Sequence, residues 1–139
     1  MRALIIDDSA VMRRIVESAL RHAGLDLTEV LLAANGFEAL AALESLAAHS
    51  QSIDLILCDV HMPLLDGPGF LLEKSRRRLA PHTPVVMITA DASDPHLLHA
   101  IAAGAQGYIS KPFTLEQMQV RVASLLPAIA PQPQIGGAP

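Results

Sequence analysis

Short, almost wholly apolar runs recur along this chain, separated by longer stretches in which apolar residues return every third or fourth position. The first run, Ala3–Ile6, stops at Asp7-Asp8. A run so uniformly apolar suits a strand covered on both faces. Ser9 is placed to cap a helix over residues 10–23. There Val11, Met12, Ile15, Val16, Ala19, Leu20 and Ala23 fall at helical spacing, and Arg13, Arg14, Glu17 and Arg21 take the wet side. Gly24 suits the position just past its end. Residues 28–33 predict a second strand, Asn35-Gly36 a turn, and 37–48 a helix rich in Ala and Leu. Ile53–Cys58 predicts a third strand that ends on Asp59. Met62-Pro63 bars further pairing, and Asp66-Gly67-Pro68 turns the chain into a helix over 69–79. Pro81 and Pro84 bracket a loop before a fourth strand, Val85–Ile88, which ends at Thr89. Asp94, with Pro95 at the first position, caps a helix reaching about Ala103 and closed by Gly104. Residues 107–110 predict a short fifth strand ending at Lys111-Pro112. Thr114 and Gln117 have capping-box spacing for a last helix whose inner stripe is Leu115, Met118, Val122, Leu125 and Leu126. Residues 127–139 have the Pro- and Gly-rich composition of a tail or linker, which leaves one domain over 1–126.

Strands alternating with helices predict a parallel sheet with right-handed crossovers. The natural architecture is a flavodoxin-like, doubly wound α/β fold with strand order 2-1-3-4-5. In that order strands 1 and 3 are neighbours at the topological switch point, where open α/β sheets bind ligands beyond the strands' carboxyl ends.

Composition narrows the partners. With 51 % apolar and 17 % charged residues, the chain is well supplied with core. A net charge of −4 and a pI near 5.8 give no reason to expect nucleic-acid contact. The basic run Arg76-Arg77-Arg78 sits at a predicted helix end, where cations favour the dipole. The single cysteine, Cys58, excludes an internal disulfide and reads as a small buried hydrophobe. No apolar run approaches membrane-spanning length, and Ala3–Ile6 is too short for a signal-peptide core, so a cytoplasmic location is expected.

The strand ends carry the candidate chemistry. Asp7 and Asp8 end strand 1, Asp59 strand 3, Thr89 strand 4 and Lys111 strand 5. Three carboxylates crowded into one pocket are costly to ionise unless a cation joins them. A hard divalent ion with oxygen ligands fits, and Mg²⁺ fits best. Lys111 adds a second positive charge and Thr89 a hydroxyl donor. Metal, ammonium and hydroxyl converging on one carboxylate suit phosphoryl transfer, with Asp59 as the nucleophile.

The segments Ile5-Ile6-Asp7-Asp8-Ser9, Ile56 to Gly67, Val86 to Ala90, Gly104 to Tyr108 and Lys111-Pro112-Phe113 together resemble a response-regulator receiver domain of the CheY-like kind, over residues 1 to about 126. The resemblance implies that Asp59 accepts phosphate from a histidine kinase or a histidine phosphotransfer protein. It implies that Mg²⁺ is held by Asp8, Asp59 and the backbone carbonyl of His61, with Asp7 reaching it through water. Thr89 and Lys111 would bind phosphoryl oxygens. Thr89 and Tyr108 would act as switch residues that reshape the face made by helix 4, strand 5 and helix 5. A cis bond before Pro112 is also implied.

Such a domain is a switch rather than an enzyme, acting only on its own Asp59. Its output is contact with a protein target or an effector domain, with a phosphorylation-linked dimer as a further possibility. The tail is compatible with a stand-alone receiver or with one cut from a longer regulator. The rival enzyme is an aspartyl-phosphate phosphatase of the haloacid-dehalogenase kind. That class places a carboxylate two residues after the nucleophile, where this chain has His61. His61 flanks the pocket, where it bears on water access and phosphate lifetime. His96 and His99 lack an evident third ligand and read as a solvated, partner-facing helix face. Residues 91–99 contain no Lys or Arg, unlike the basic helix 4 of motor-binding chemotaxis members.

Overall fold

The computed structural model describes residues 1–125. Leu126 and the predicted tail, and with them the domain boundary at 126, lie outside the described residues. Five strands alternate with five helices: β1 (Arg2–Ile6), α1 (Ala10–His22), β2 (Glu29–Ala33), α2 (Gly36–Ala48), β3 (Leu55–Asp59), α3 (Gly67–Arg76), β4 (Val85–Thr89), α4 (Pro95–Ala102), β5 (Gly107–Ser110) and α5 (Leu115–Ala123). All pairings are parallel and the strand order is β2-β1-β3-β4-β5, as the alternation predicts.

The apolar strands divide their side chains by parity between two cores, because successive residues point to opposite faces. Ala3, Ile5, Leu55, Leu57, Val86 and Ile88 pack with Val16, Ala19, Leu20, Met118 and Val122 of α1 and α5. Leu4, Ile6, Ile56, Cys58, Val85 and Met87 pack on the other face with α2, α3 and α4 residues, among them Leu40, Phe70 and Leu97. Every residue of β3 and β4 is buried, so burial on both faces accounts for their lack of alternation.

The predicted caps form. Ser9 accepts from the Met12 N–H, Asp94 from the His96 N–H, and Thr114 with Gln117 closes a capping box. Gly24 and Gly104 follow their helices with φ of 86° and 119°, the left-handed conformation that glycine adopts without strain.

Several expectations need correcting. Asn35 is the cap of α2, its side chain accepting from the Glu38 N–H, so Gly36 opens the helix instead of sitting in a turn. α3 begins two residues early because Asp66 caps it, with its side chain on the Gly69 N–H. It ends at Arg76, and Arg78 is left-handed at φ 55°. Val11 and Ile15 are 67 % and 46 % exposed, and Leu115 is 52 % exposed. Only Val16, Ala19 and Leu20 of α1 are buried, so helical spacing overstated that helix's inner face.

Candidate functional site

β1 and β3 lie side by side with Ile6 opposite Cys58, so Asp7 and Asp59 emerge together at the carboxyl edge of the sheet. Asp59 is matched across β4 with Ile88, which puts Thr89 one residue further out on the neighbouring strand. Thr89 in turn pairs with Ser110, and Lys111 N–H donates to the Thr89 carbonyl at 2.7 Å. The register alone thus brings groups from four segments to one edge.

Carboxylate oxygens of Asp7, Asp8 and Asp59 lie within 4.8 Å of one another. Asp7 is 1 % exposed and Asp59 7 %, whereas Asp8 faces solvent. One Asp7 oxygen accepts from the Ser9 N–H at 2.9 Å, and its carbonyl accepts from Arg13. The other oxygen, Oδ2, is buried without a hydrogen-bond partner among the described residues. Lys111 Nζ stands 3.4 Å from Asp59 Oδ1 and 3.6 Å from Asp7 Oδ2. The Lys111–Pro112 peptide is cis.

Burial pushes the Asp59 carboxyl above the ordinary carboxylate range, Asp7 and Asp8 push the same way, and Lys111 opposes them. An orphaned buried oxygen beside two further carboxylates is an all-oxygen donor set suited to a hard divalent cation. The residues present therefore fit Mg²⁺.

Gly67, at the start of α3, packs directly under this site. A Cβ there would meet Met87 Cε at 2.7 Å and the Asp59 carbonyl oxygen at 2.8 Å. Cys58, immediately before Asp59, is fully buried, and burial together with nearby Asp59, Asp7 and Asp66 pushes its thiol well above the usual range. In the folded protein Cys58 is expected to react with an aromatic disulfide reagent at least about a hundredfold more slowly than in denaturant, since access requires opening of the core. Equal rates in the two conditions would contradict its placement.

The two predicted switch residues, Thr89 and Tyr108, have other partners. The Thr89 hydroxyl donates to the Asp91 carbonyl at 2.9 Å and accepts from the Asp91 N–H at 3.1 Å, so it is engaged with its own loop and not with Asp59. Tyr108 is half-buried, packed against the core on the α3–α4 side, with the Arg121 guanidinium 5.8 Å from its ring centre. A concavity of about 420 Å³ lies beside it between β5 and α5.

The His61 side chain hydrogen-bonds Asp94 at the start of α4. That contact is the main reason the Asp94 carboxyl is held down to about 2, with the His96 N–H contributing. His96 Nδ1 also reaches Asp94, at 3.1 Å. His96, read with His99 as a pair lacking an evident third ligand, groups with Asp94 and His61, one ligand-type atom of each lying within 4.8 Å of the others. Sequence reasoning read Asp94 only as a cap, and no local signal pairs it with a histidine 33 residues earlier.

The chain matches the response regulator receiver domain over residues 3–123. It is 34 % identical to the chemotaxis protein CheY of Pseudomonas aeruginosa, covering 90 % of this chain and 95 % of that protein. It is also 34 % identical to the probable transcriptional regulator ycf27 of Porphyridium aerugineum, matching 90 % of this chain but 48 % of that protein. Among solved structures, the chemotaxis response regulator CheY4 of Vibrio cholerae superposes with a TM-score of 0.74 at 33 % identity, over 90 % of this chain and 98 % of the other. Among the described residues no helix is long and apolar enough to cross a membrane. The strand order, the acidic edge and these matches agree: the chain belongs to the CheY-like response-regulator receiver family, domains of phosphorylation-dependent two-component signalling.

Proposed function

We propose that Asp59 is the phosphoacceptor, taking a phosphoryl group from a histidine kinase or a histidine phosphotransfer protein. The single observation that carries this reading is the Asp7–Asp8–Asp59 cluster closed by the Lys111 ammonium, 3.4 Å from Asp59. An ionised Asp59 oxygen attacks phosphorus as the phosphorus–nitrogen bond to the donor imidazole breaks. The bonding pair returns to the imidazole nitrogen, and an acyl phosphate forms on Asp59. Lys111 neutralises a transferring oxygen, and the Thr89 hydroxyl binds another once it leaves Asp91. Asp8, Asp59 and the His61 carbonyl would hold Mg²⁺, with Asp7 behind them through water. When bound, that ion offsets the charge of the carboxylates and of the phosphoryl oxygens. The exposed apolar residues Val11 and Ile15, on the helix that starts beside Asp8, offer the donor protein a place to dock.

Turning Thr89 toward the phosphoryl group draws the loop after β4 with it. Tyr108 then moves inward and reshapes the face of α4, β5 and α5, which meets a protein target or an effector domain. Incubation with a small acyl phosphate and Mg²⁺ is expected to add one phosphoryl group to the wild type and none to Asp59→Asn by intact mass. Equal addition to both, or none to the wild type, would exclude Asp59 as the acceptor.

A further inference from the structure

We infer that the side chains of His61, Asp94 and His96 form a second metal site beside the acidic pocket, to which His61 lends only its backbone carbonyl, and that it takes a borderline-soft divalent ion such as Zn²⁺. One ligand atom from each residue lies within 4.8 Å of the others. Both imidazoles already converge on the one carboxylate, with His61 Nε2 on Oδ2 and His96 Nδ1 on Oδ1 at 3.1 Å. The two rings meet edge to face with centres 4.8 Å apart. Zinc ligands sit about 2.0–2.2 Å from the ion, so small rotations of two exposed imidazoles bring the donor atoms to tetrahedral spacing.

The scaffold beneath the three is fixed. Asp94 caps α4, and Pro95 and His96 follow as its first helical residues. His61 follows Val60, which is fully buried and tied to β4 through the Ile88 carbonyl. Two imidazoles and one carboxylate with a fourth position open to water is a donor set for Zn²⁺, Co²⁺ or Ni²⁺, not for Mg²⁺. The two sites therefore sort their ions by ligand chemistry. A bound ion would join the loop after β3 to the start of α4, segments that no strand pairing connects.

Calorimetric titration of Zn²⁺ into the full chain, in saturating Mg²⁺, tests this directly. One equivalent is expected to bind in the wild type and to raise its thermal midpoint. His96→Gln and His61→Gln are each expected to weaken binding by about tenfold or more, in line with losses seen when metal sites are disturbed. His82→Gln, on the loop before β4, is the control and is expected to bind as the wild type does. Circular dichroism of the apo variants verifies that each remains folded. Absence of saturable binding in the wild type would overturn the site, as would wild-type affinity in either His61→Gln or His96→Gln. Because phosphorylation plays no part in this readout, its failure leaves the role of Asp59 untouched.

Discussion

Gly67→Ala is expected to lower stability by about 1–3 kcal/mol, the usual cost of overpacking a filled core. The added methyl would lie 2.8 Å from the Asp59 carbonyl oxygen and 3.1 Å from Val60 Cα, and both are backbone atoms at the end of a central strand. Met87, the third neighbour, is fully buried and has no solvent to retreat into. The strand end must shift, and Asp59 with it. Thermal melting should show a midpoint roughly 5–10 °C lower, given the size of the domain. Acyl-phosphate labelling should slow by about tenfold or more, because small displacements of a reacting group are costly. A variant that melts within about a degree of wild type and labels normally would show that the close approach is relieved at no cost.

Lys111→Met is expected to slow labelling of Asp59 by about 10²-fold, the scale on which loss of one preorganised donor acts. It should also move the acid limb of the pH–rate curve upward. Burial already holds the Asp59 carboxyl high, and Lys111 is the group that pulls it down. Without the ammonium, ionised Asp59 is scarcer at any given pH, and the reactive form appears only at higher pH. The stability consequence has the same origin. A carboxyl whose folded pKa is raised destabilises the fold once ionised, and that penalty is relieved as pH falls through the raised value. Wild type without Mg²⁺ should therefore gain stability on mild acidification, and Lys111→Met should gain it from a higher pH. Rates measured across pH in both proteins check the shift, and superimposable acid limbs would remove Lys111 from the site's electrostatics.

The fold was legible because its central strands are almost wholly apolar and its helix starts carry explicit caps. Asp7, Asp8, Asp59 and Lys111 could be placed because each ends a strand, and strand order alone puts strand ends together. Side-chain direction was less legible. Val11 and Ile15 fit helical spacing yet face solvent, since a stripe gives the period of burial and not its width. Thr89 was expected to bind a phosphoryl oxygen, and the pairing of its hydroxyl with Asp91 two residues on was not foreseen. The bond between His61 and Asp94 depends on where α4 starts in space, and no spacing rule encodes that.

The two hydrogen bonds between Thr89 and Asp91 also limit how quiet the unmodified protein is. Each has a net worth of about 1 kcal/mol, so the pair favours the docked hydroxyl by roughly thirtyfold. On the switching role proposed for Thr89, a few molecules in a hundred would carry a detached hydroxyl before any phosphate arrives, and basal output would be a built-in leak whose size one loop sets. Lengthening or shortening that loop would tune background signalling without touching the acids.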